Sequence, residues 1–361
     1  MLVALKVVVV LVTVLAVYFF LGALWRRLYA FEPGYDQVHF VDTADGWRLA
    51  LHRYSPKAER VSTYPVMLCH GLGANRFNFD LGQEASLARF LQDEGYDVWV
   101  VELRGRGNSS RPRLFNMFRG QWTFDDYVRK DLPAVIAYVR RVTGSSKVHW
   151  VGHSMGGFVL YAYLQLEQAE GIASGVAIGS PGFFRPVSGF SFLPRILKVL
   201  GALPRLHFEF LAAGVAPLMA TGKLPFSRLL LNTDNVERRV LARAVCYLIS
   251  DIHAGELRQF GDWMLSGDFR SFDKAYSYQK NFDIIRTPLF FVAGSMDSMA
   301  GSDSVAYVYD RISSPVKRFR ILGKMYGESR EYGHGDLLIR KTCRQDLYPA
   351  LVEWFRDVEN G

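Results

Sequence analysis

The chain has 361 residues, half of them hydrophobic and 22% charged, which gives room for one large domain or two ordinary ones and excludes wholesale disorder. A net charge of +8 comes with no dense Lys/Arg run, no zinc-finger spacing and no RNA-binding motif, so nucleic-acid binding is not expected. A solvated basic surface and attraction to anionic lipid headgroups remain as readings.

The first element is residues 2–24, LVALKVVVVLVTVLAVYFFLGAL, in which Lys6 is the only charge. As a helix rising 1.5 Å per residue, it spans the roughly 30 Å of a hydrocarbon core. Trp25, Arg26, Arg27 and Tyr29 follow, as interfacial anchors do. The apolar run exceeds the ~7–15 residues of a signal peptide, and the doubled arginine follows it instead of preceding it. An uncleaved single-pass anchor over residues 1–30 is therefore expected, with a cleaved signal peptide as the alternative. The positive-inside tendency slightly favours a cytoplasmic main domain.

Residues 36–54, DQVHFVDTADGWRLALHRY, read as an antiparallel hairpin about Asp45-Gly46. PVMLCHG (65–71) is a short buried strand, with Cys69 as a small core residue. A helix over 84–96 stops at Gly95, and 97–105 is a strand again. A helix over 123–144 starts with Thr123 as N-cap and Asp126 three residues on. Strand 147–151, a helix from Ser154 to about Leu166, and strand 174–179 continue the alternation. Such alternation means a mostly parallel sheet covered on both faces.

The pattern breaks after Pro181. From 182 to 285 the chain is rich in Phe, Leu and Pro, with short helices, a longer helix at 236–250 and no convincing strand. Strand 287–297, a helix near 302–312, strand 316–322 and a closing helix over 337–357 complete the chain. The expected organisation is an anchor (1–30), the first part of an α/β core (31–181), a helical insertion (182–285) and the second part of the core (286–361). Cys69, Cys246 and Cys343 are far apart and suggest neither a disulfide framework nor a zinc site; no clustered metal-ligand set is seen.

The chemistry centres on HWVGHSMGGFVL (149–160). Here Gly152-His153-Ser154-Met155-Gly156 lies between an apolar strand and a helix, the context of a G-x-S-x-G nucleophile elbow. Gly152 and Gly156 flank the turn where a Cβ meets neighbouring backbone, and the turn lifts the Ser154 hydroxyl above the sheet edge. A small serine in a structural turn is the alternative. CHGLG (69–73) follows a strand, and Gly71 and Gly73 free the backbone so that the Leu72 N–H pairs with that of Met155 as an oxyanion donor. Asp297 lies just past a strand end in FFVAGSMD, with Asp303 as its rival. His334 lies in a Gly-flanked loop, EYGHGDLLI, while His70 and His153 are read as shaping loops.

These motifs, in the order Ser154, Asp297, His334, resemble the α/β-hydrolase superfamily over roughly residues 36–357. VDTADGWRLALHRY, ELRGRGNSSRP and YGHGDLL look similar to segments of the acid lipases. GHSMGG is commoner in monoacylglycerol-lipase-like, esterase and carbon–carbon hydrolase members. The resemblance implies an eight-stranded, mostly parallel sheet with a helical cap, and a serine hydrolase with no metal or cofactor. His334 then takes the Ser154 proton, Asp297 holds the imidazole, and Leu72 and Met155 stabilise the oxyanion. Serine at 154 sets the chain apart from polyhydroxyalkanoate synthases, epoxide hydrolases and haloalkane dehalogenases. The expected substrate is a lipid or other long-chain ester, with acyl transfer to an alcohol or a thioester as alternatives. Phe183, Phe184, Phe190, Phe192, Leu193, Ile196, Leu197 and Leu200 either pack the cap on the core or line an acyl tunnel or membrane-facing lid.

Overall fold

A computed structural model describes residues 2–112, 122–167, 169–185, 192–203, 205–223 and 231–361. Helix α1 (Leu2–Leu28) comes first, its apolar span covering Leu5–Leu28. β1 (Gln37–Asp42) and β2 (Arg48–Tyr54) form the expected hairpin, with Gly46 at φ 85° in the turn. β3 (Val66–Cys69) leads through a loop to α2 (Leu87–Asp93). That helix is shorter than its apolar spacing suggests, because the Ser86 hydroxyl caps it by accepting from the Arg89 N–H. β4 (Val98–Glu102) follows.

The expected helix at 123–144 begins at the Thr123–Asp126 capping box, widens into a π turn at Tyr127–Asp131 and continues as α3 (Leu132–Thr143). Pro133 has no N–H to place on the preceding turn, a local reason for the widened ladder. β5 (Val148–His153), α4 (Met155–Tyr163) and β6 (Ile172–Ile178) come next. The insertion carries α5 (Leu193–Leu200), β7 (Arg205–Leu206), α6 (Phe208–Gly214), α7 (Arg238–Arg243), β8 (Ile252–His253) and α8 (Ala254–Ser266). Antiparallel β7 and β8 were not expected; two residues each leave no readable alternation. The expected helix at 236–250 is α7 followed by a π turn over 244–248.

β9 (Leu289–Gly294), α9 (Ser302–Arg311), β10 (Lys317–Leu322) and α10 (Tyr348–Asn360) close the chain. A single helix over 337–357 is not formed. Pro349 is tolerated only in a first turn, so α10 begins there, and short turns at Gly335–Leu337 and Cys343–Asp346 precede it.

Among the described residues the main sheet has the order β1-β2-β4-β3-β5-β6-β9-β10, parallel from β4 to β10 and antiparallel at β1 and β2. β5 is central, so its C-terminal end projects the Ser154 turn from the middle of the sheet. Successive strand residues enter opposite cores: Trp99 and Val101 pack with Trp150, Phe158 and Phe291, while Val98 and Val100 pack with Phe290, Trp354 and Phe355. Burial on both faces is why these strands read as continuous apolar runs.

The insertion is fixed to the core by both rings and charge. Phe184, Trp263 and Phe269 join Phe124 and Phe158 in one aromatic cluster, with Phe124 and Trp263 5.0 Å apart edge to face. Beneath it, Arg106 and Glu256 form a fully buried ion pair at 2.5 Å, and the Tyr127 hydroxyl donates to the same carboxylate at 2.7 Å. α1 also rests on the insertion: the Phe19 and Phe210 rings pack at a tilt with centroids 4.0 Å apart, and Arg26 pairs with Glu209 at 3.2 Å.

Candidate active site

Ser154 has φ 52° and ψ −116°, a conformation that L side chains rarely adopt and one that costs about 1–3 kcal/mol. The surroundings hold it there. Its N–H donates to the Ile178 carbonyl at 2.8 Å, and its own carbonyl accepts from the Ser180 hydroxyl at 2.9 Å. A Cβ on Gly152 would lie 2.2 Å from the Gly156 carbonyl carbon, and one on Gly156 would lie 2.1 Å from the Cys69 oxygen. Both glycines are thus required by backbone meeting backbone across β3, β5 and α4.

The loop after β3 lies against this turn. A Cβ on Gly71 would be 3.2 Å from the Ser154 Cβ. Gly73, at φ 63°, turns the chain away, and its carbonyl accepts from the Ser250 N–H of the insertion at 2.7 Å. Among the described hydrogen bonds, the Leu72 and Met155 N–H groups find no protein acceptor.

Asp297 follows β9, and its Oδ2 lies 2.8 Å from His334 Nδ1. Its other oxygen accepts from the Met299 and Ala300 N–H groups at 2.9 and 2.8 Å, so the carboxylate is held from both sides. The rival Asp303 instead points outward and pairs with Arg185 at 3.0 Å. Burial alone would lower the His334 pKa; the charge and hydrogen bond of Asp297, with Asp336 adding to them, raise it above its ordinary value. Ser154 Oγ makes no hydrogen bond among the described residues, to His334 or to any other group. The three elements are nevertheless close: a Cβ on Gly179 would lie 3.2 Å from Asp297 Oδ2 and 3.3 Å from His334 Nδ1, one residue beyond the Ile178 carbonyl that holds Ser154.

His70 and His153 shape loops. His70 Nε2 accepts from the Leu103 N–H at 3.2 Å, and burial lowers its pKa to about 4. His153 Nε2 meets the His334 carbonyl at 3.1 Å; burial, with His334 nearby, lowers its pKa to about 3. Both are neutral near pH 7. Asn78, which motif reading passes over, links these parts. Its Oδ1 accepts from the Gly71 N–H at 3.1 Å and lies 3.0 Å from His153 Nδ1. Asp336, also missed, accepts from the Gly333 and Asn232 N–H groups and from Asn235 Nδ2, which ties the His334 loop to the insertion. The only sequence signal was its place two residues after His334.

The expected cap residues divide. Phe184 is buried in the aromatic cluster, and Phe183 packs edge-on against Tyr307 at 5.2 Å. Phe192 and Ile196 are exposed, and Leu197 and Leu200 are half-buried. Phe190 and the Leu193 side chain lie outside the described residues. A cleft of about 380 Å³ between α1 and the insertion is lined by Phe19, Arg26, Glu209 and Phe210 and by none of the site residues. All three cysteines are buried and free.

A family model described as alpha/beta hydrolase fold matches residues 64–234. The chain is 24% identical to triacylglycerol lipase 2 of Arabidopsis thaliana, over 89% of this chain and 84% of that protein. It is 25% identical to gastric triacylglycerol lipase of Rattus norvegicus, over 88% and 87% respectively. Among solved structures, an esterase from Exiguobacterium antarcticum superposes with a TM-score of 0.60 at 17% identity, covering 89% of this chain and all of that one. The last likeness is one of fold.

Proposed function

We propose that the chain, which a family model of alpha/beta hydrolase fold matches over residues 64–234, is a membrane-anchored serine hydrolase cleaving carboxylic esters of lipid or long-chain type. The observation that carries the reading is the Asp297–His334 bond at 2.8 Å beside a serine at φ 52°. In the proposed mechanism, His334 Nε2 takes the Ser154 proton as Oγ attacks the ester carbonyl. Asp297 fixes the Nδ1–H tautomer and stabilises the imidazolium. The Leu72 and Met155 N–H groups receive the negative charge on the tetrahedral oxygen. His334 then protonates the leaving alcohol and, in the second half, draws a proton from water to release the acyl-enzyme.

The lipid character of the substrate is supported by the lipase relatives and by the apolar α1 docked on the insertion. Labelling by a fluorophosphonate probe, lost in Ser154→Ala, tests the nucleophile. Hydrolysis of p-nitrophenyl esters of increasing chain length, with and without detergent, tests the substrate class. A strict preference for acetyl over octanoyl esters would overturn the lipid reading. Faster transfer to an added alcohol than to water would make the protein an acyltransferase.

A further inference from the structure

A bare tether would make no contact with the rest of the chain, whereas α1 is docked on the insertion. Along one side of the helix, Arg26 meets Glu209, Gly22 faces Ala213 and Gly214, and Tyr18 and Phe19 clasp Phe210. The Tyr18 hydroxyl donates to the Leu211 carbonyl. A Cβ on Gly214 would lie 2.2 Å from Tyr18 Cζ, so only glycine admits this approach. Beyond α6 the chain returns towards the end of α1, where Pro217, Ala220, Arg238 and Arg239 line a cleft with Leu28 and Tyr29.

These contacts fix a depth. If Arg26 marks the headgroup level, Tyr18 lies eight residues inward, about 12 Å at 1.5 Å per residue. A segment packed on Tyr18 must enter the hydrocarbon with it. Its outer surface suits that solvent: Leu211 is 54% exposed. Val199, 71% exposed, lies on an α5 face with Ile196 and Phe192, while the Pro194 and Gly201 side packs on α8. The charges collect at the mouth of the contact, where Arg26 and Arg111 share Glu209. Arg238 and Arg239 stand beside Tyr29, placed for anionic headgroups.

We infer that α6 is a membrane-embedded helix: the insertion dips into the leaflet at Phe210–Gly214, packed on Tyr18 and Gly22, and its occupant on the outward face is the acyl region of the bilayer. The cap is then not a lid closing over an aqueous site but the part of the protein seated in the lipid. This inference rests on α1 being retained as an anchor, and the test separates the two.

The test uses the full chain in phosphatidylcholine vesicles. The three native cysteines are buried, so an introduced one takes a nitroxide label selectively. Leu211→Cys is compared with Val142→Cys, an exposed core position on α3. Leu218→Cys, nearer the headgroups, serves as a second reporter should the first disturb folding. The intact mass of the membrane-extracted protein is measured in parallel. The expected result is an uncleaved chain whose label at 211 collides readily with oxygen and several-fold less than the label at 142 with a water-soluble nickel complex. A mature chain lacking residues 2–24 overturns both the anchor and the inference. An uncleaved chain with 211 as open to nickel as 142 overturns the inference alone.

Discussion

Asp297 Oδ2 and His334 Nδ1 lie 2.8 Å apart, joined from loops that follow β9 and β10. In the proposed mechanism this bond sets the pH dependence. His334 must be neutral to accept a proton, and Asp297 outweighs burial to raise its pKa above the ordinary 6.5. Ester hydrolysis by the wild type is therefore expected to fall as pH drops through a midpoint above 6.5. In Asp297→Asn the charge is gone, burial prevails, and the midpoint moves down while kcat falls by about 10³–10⁴. A pH series of kcat/KM checks both, and an unmoved limb in the variant would show that the pair does not control it. The same raised pKa stabilises the fold below the unfolded-state value, a contribution lost as pH rises through the folded-state one.

Asn78 is expected to act as a positioning residue. Asn78→Ala leaves the buried Gly71 N–H without its acceptor, at a cost of about 1–3 kcal/mol. It also frees the loop that carries Leu72. Denaturant unfolding should show the stability loss, and kinetics should show kcat falling more than KM rises. An unchanged kcat would confine Asn78 to a structural role.

Two glycine substitutions separate folding from chemistry. In Gly156→Ala the new Cβ meets the Cys69 carbonyl oxygen at 2.1 Å, where no rotamer can relieve it, and a loss of about 3 kcal/mol or more is expected. In Gly71→Ala the nearest atom is the Ser154 Cβ at 3.2 Å, so the fold should persist while activity drops. Thermal melts beside esterase assays distinguish the cases; equal melting losses would count against the difference in crowding.

Glu256→Gln leaves Arg106 charged inside the protein without its carboxylate. Removing one partner of such a pair costs about 3–5 kcal/mol. The loss should appear as faster proteolysis within the insertion, because Glu256 opens α8 while Arg106 belongs to the loop after β4. Wild-type resistance would mean that the aromatic cluster and the hydrogen bonds of Gly73 and Asp336 hold the insertion without this ion pair.

The elements that were legible are those whose cause is local. Continuous apolar runs gave β3, β5 and β9 because both sheet faces are buried, and Gly152 and Gly156 marked the turn because the clash they avoid lies within the motif. Asn78 and Asp336 were not legible, since their partners come from distant parts of the chain. The closing helix was misplaced because apolar spacing runs on through Leu337, Leu338 and Leu347 although Pro349 fixes the start of α10. The docking of Tyr18 on α6 left no sign at all: any apolar helix looks alike until its partner is known.

The insertion separates Ser154 from Asp297 and His334 along the chain, and this governs the order of assembly during synthesis. α1 is made before α6, so α6 folds with its packing partner already synthesised. His334 arrives last, after both the elbow and the insertion. In the proposed reading, a nascent chain therefore meets lipid before it has a complete Ser154–Asp297–His334 set.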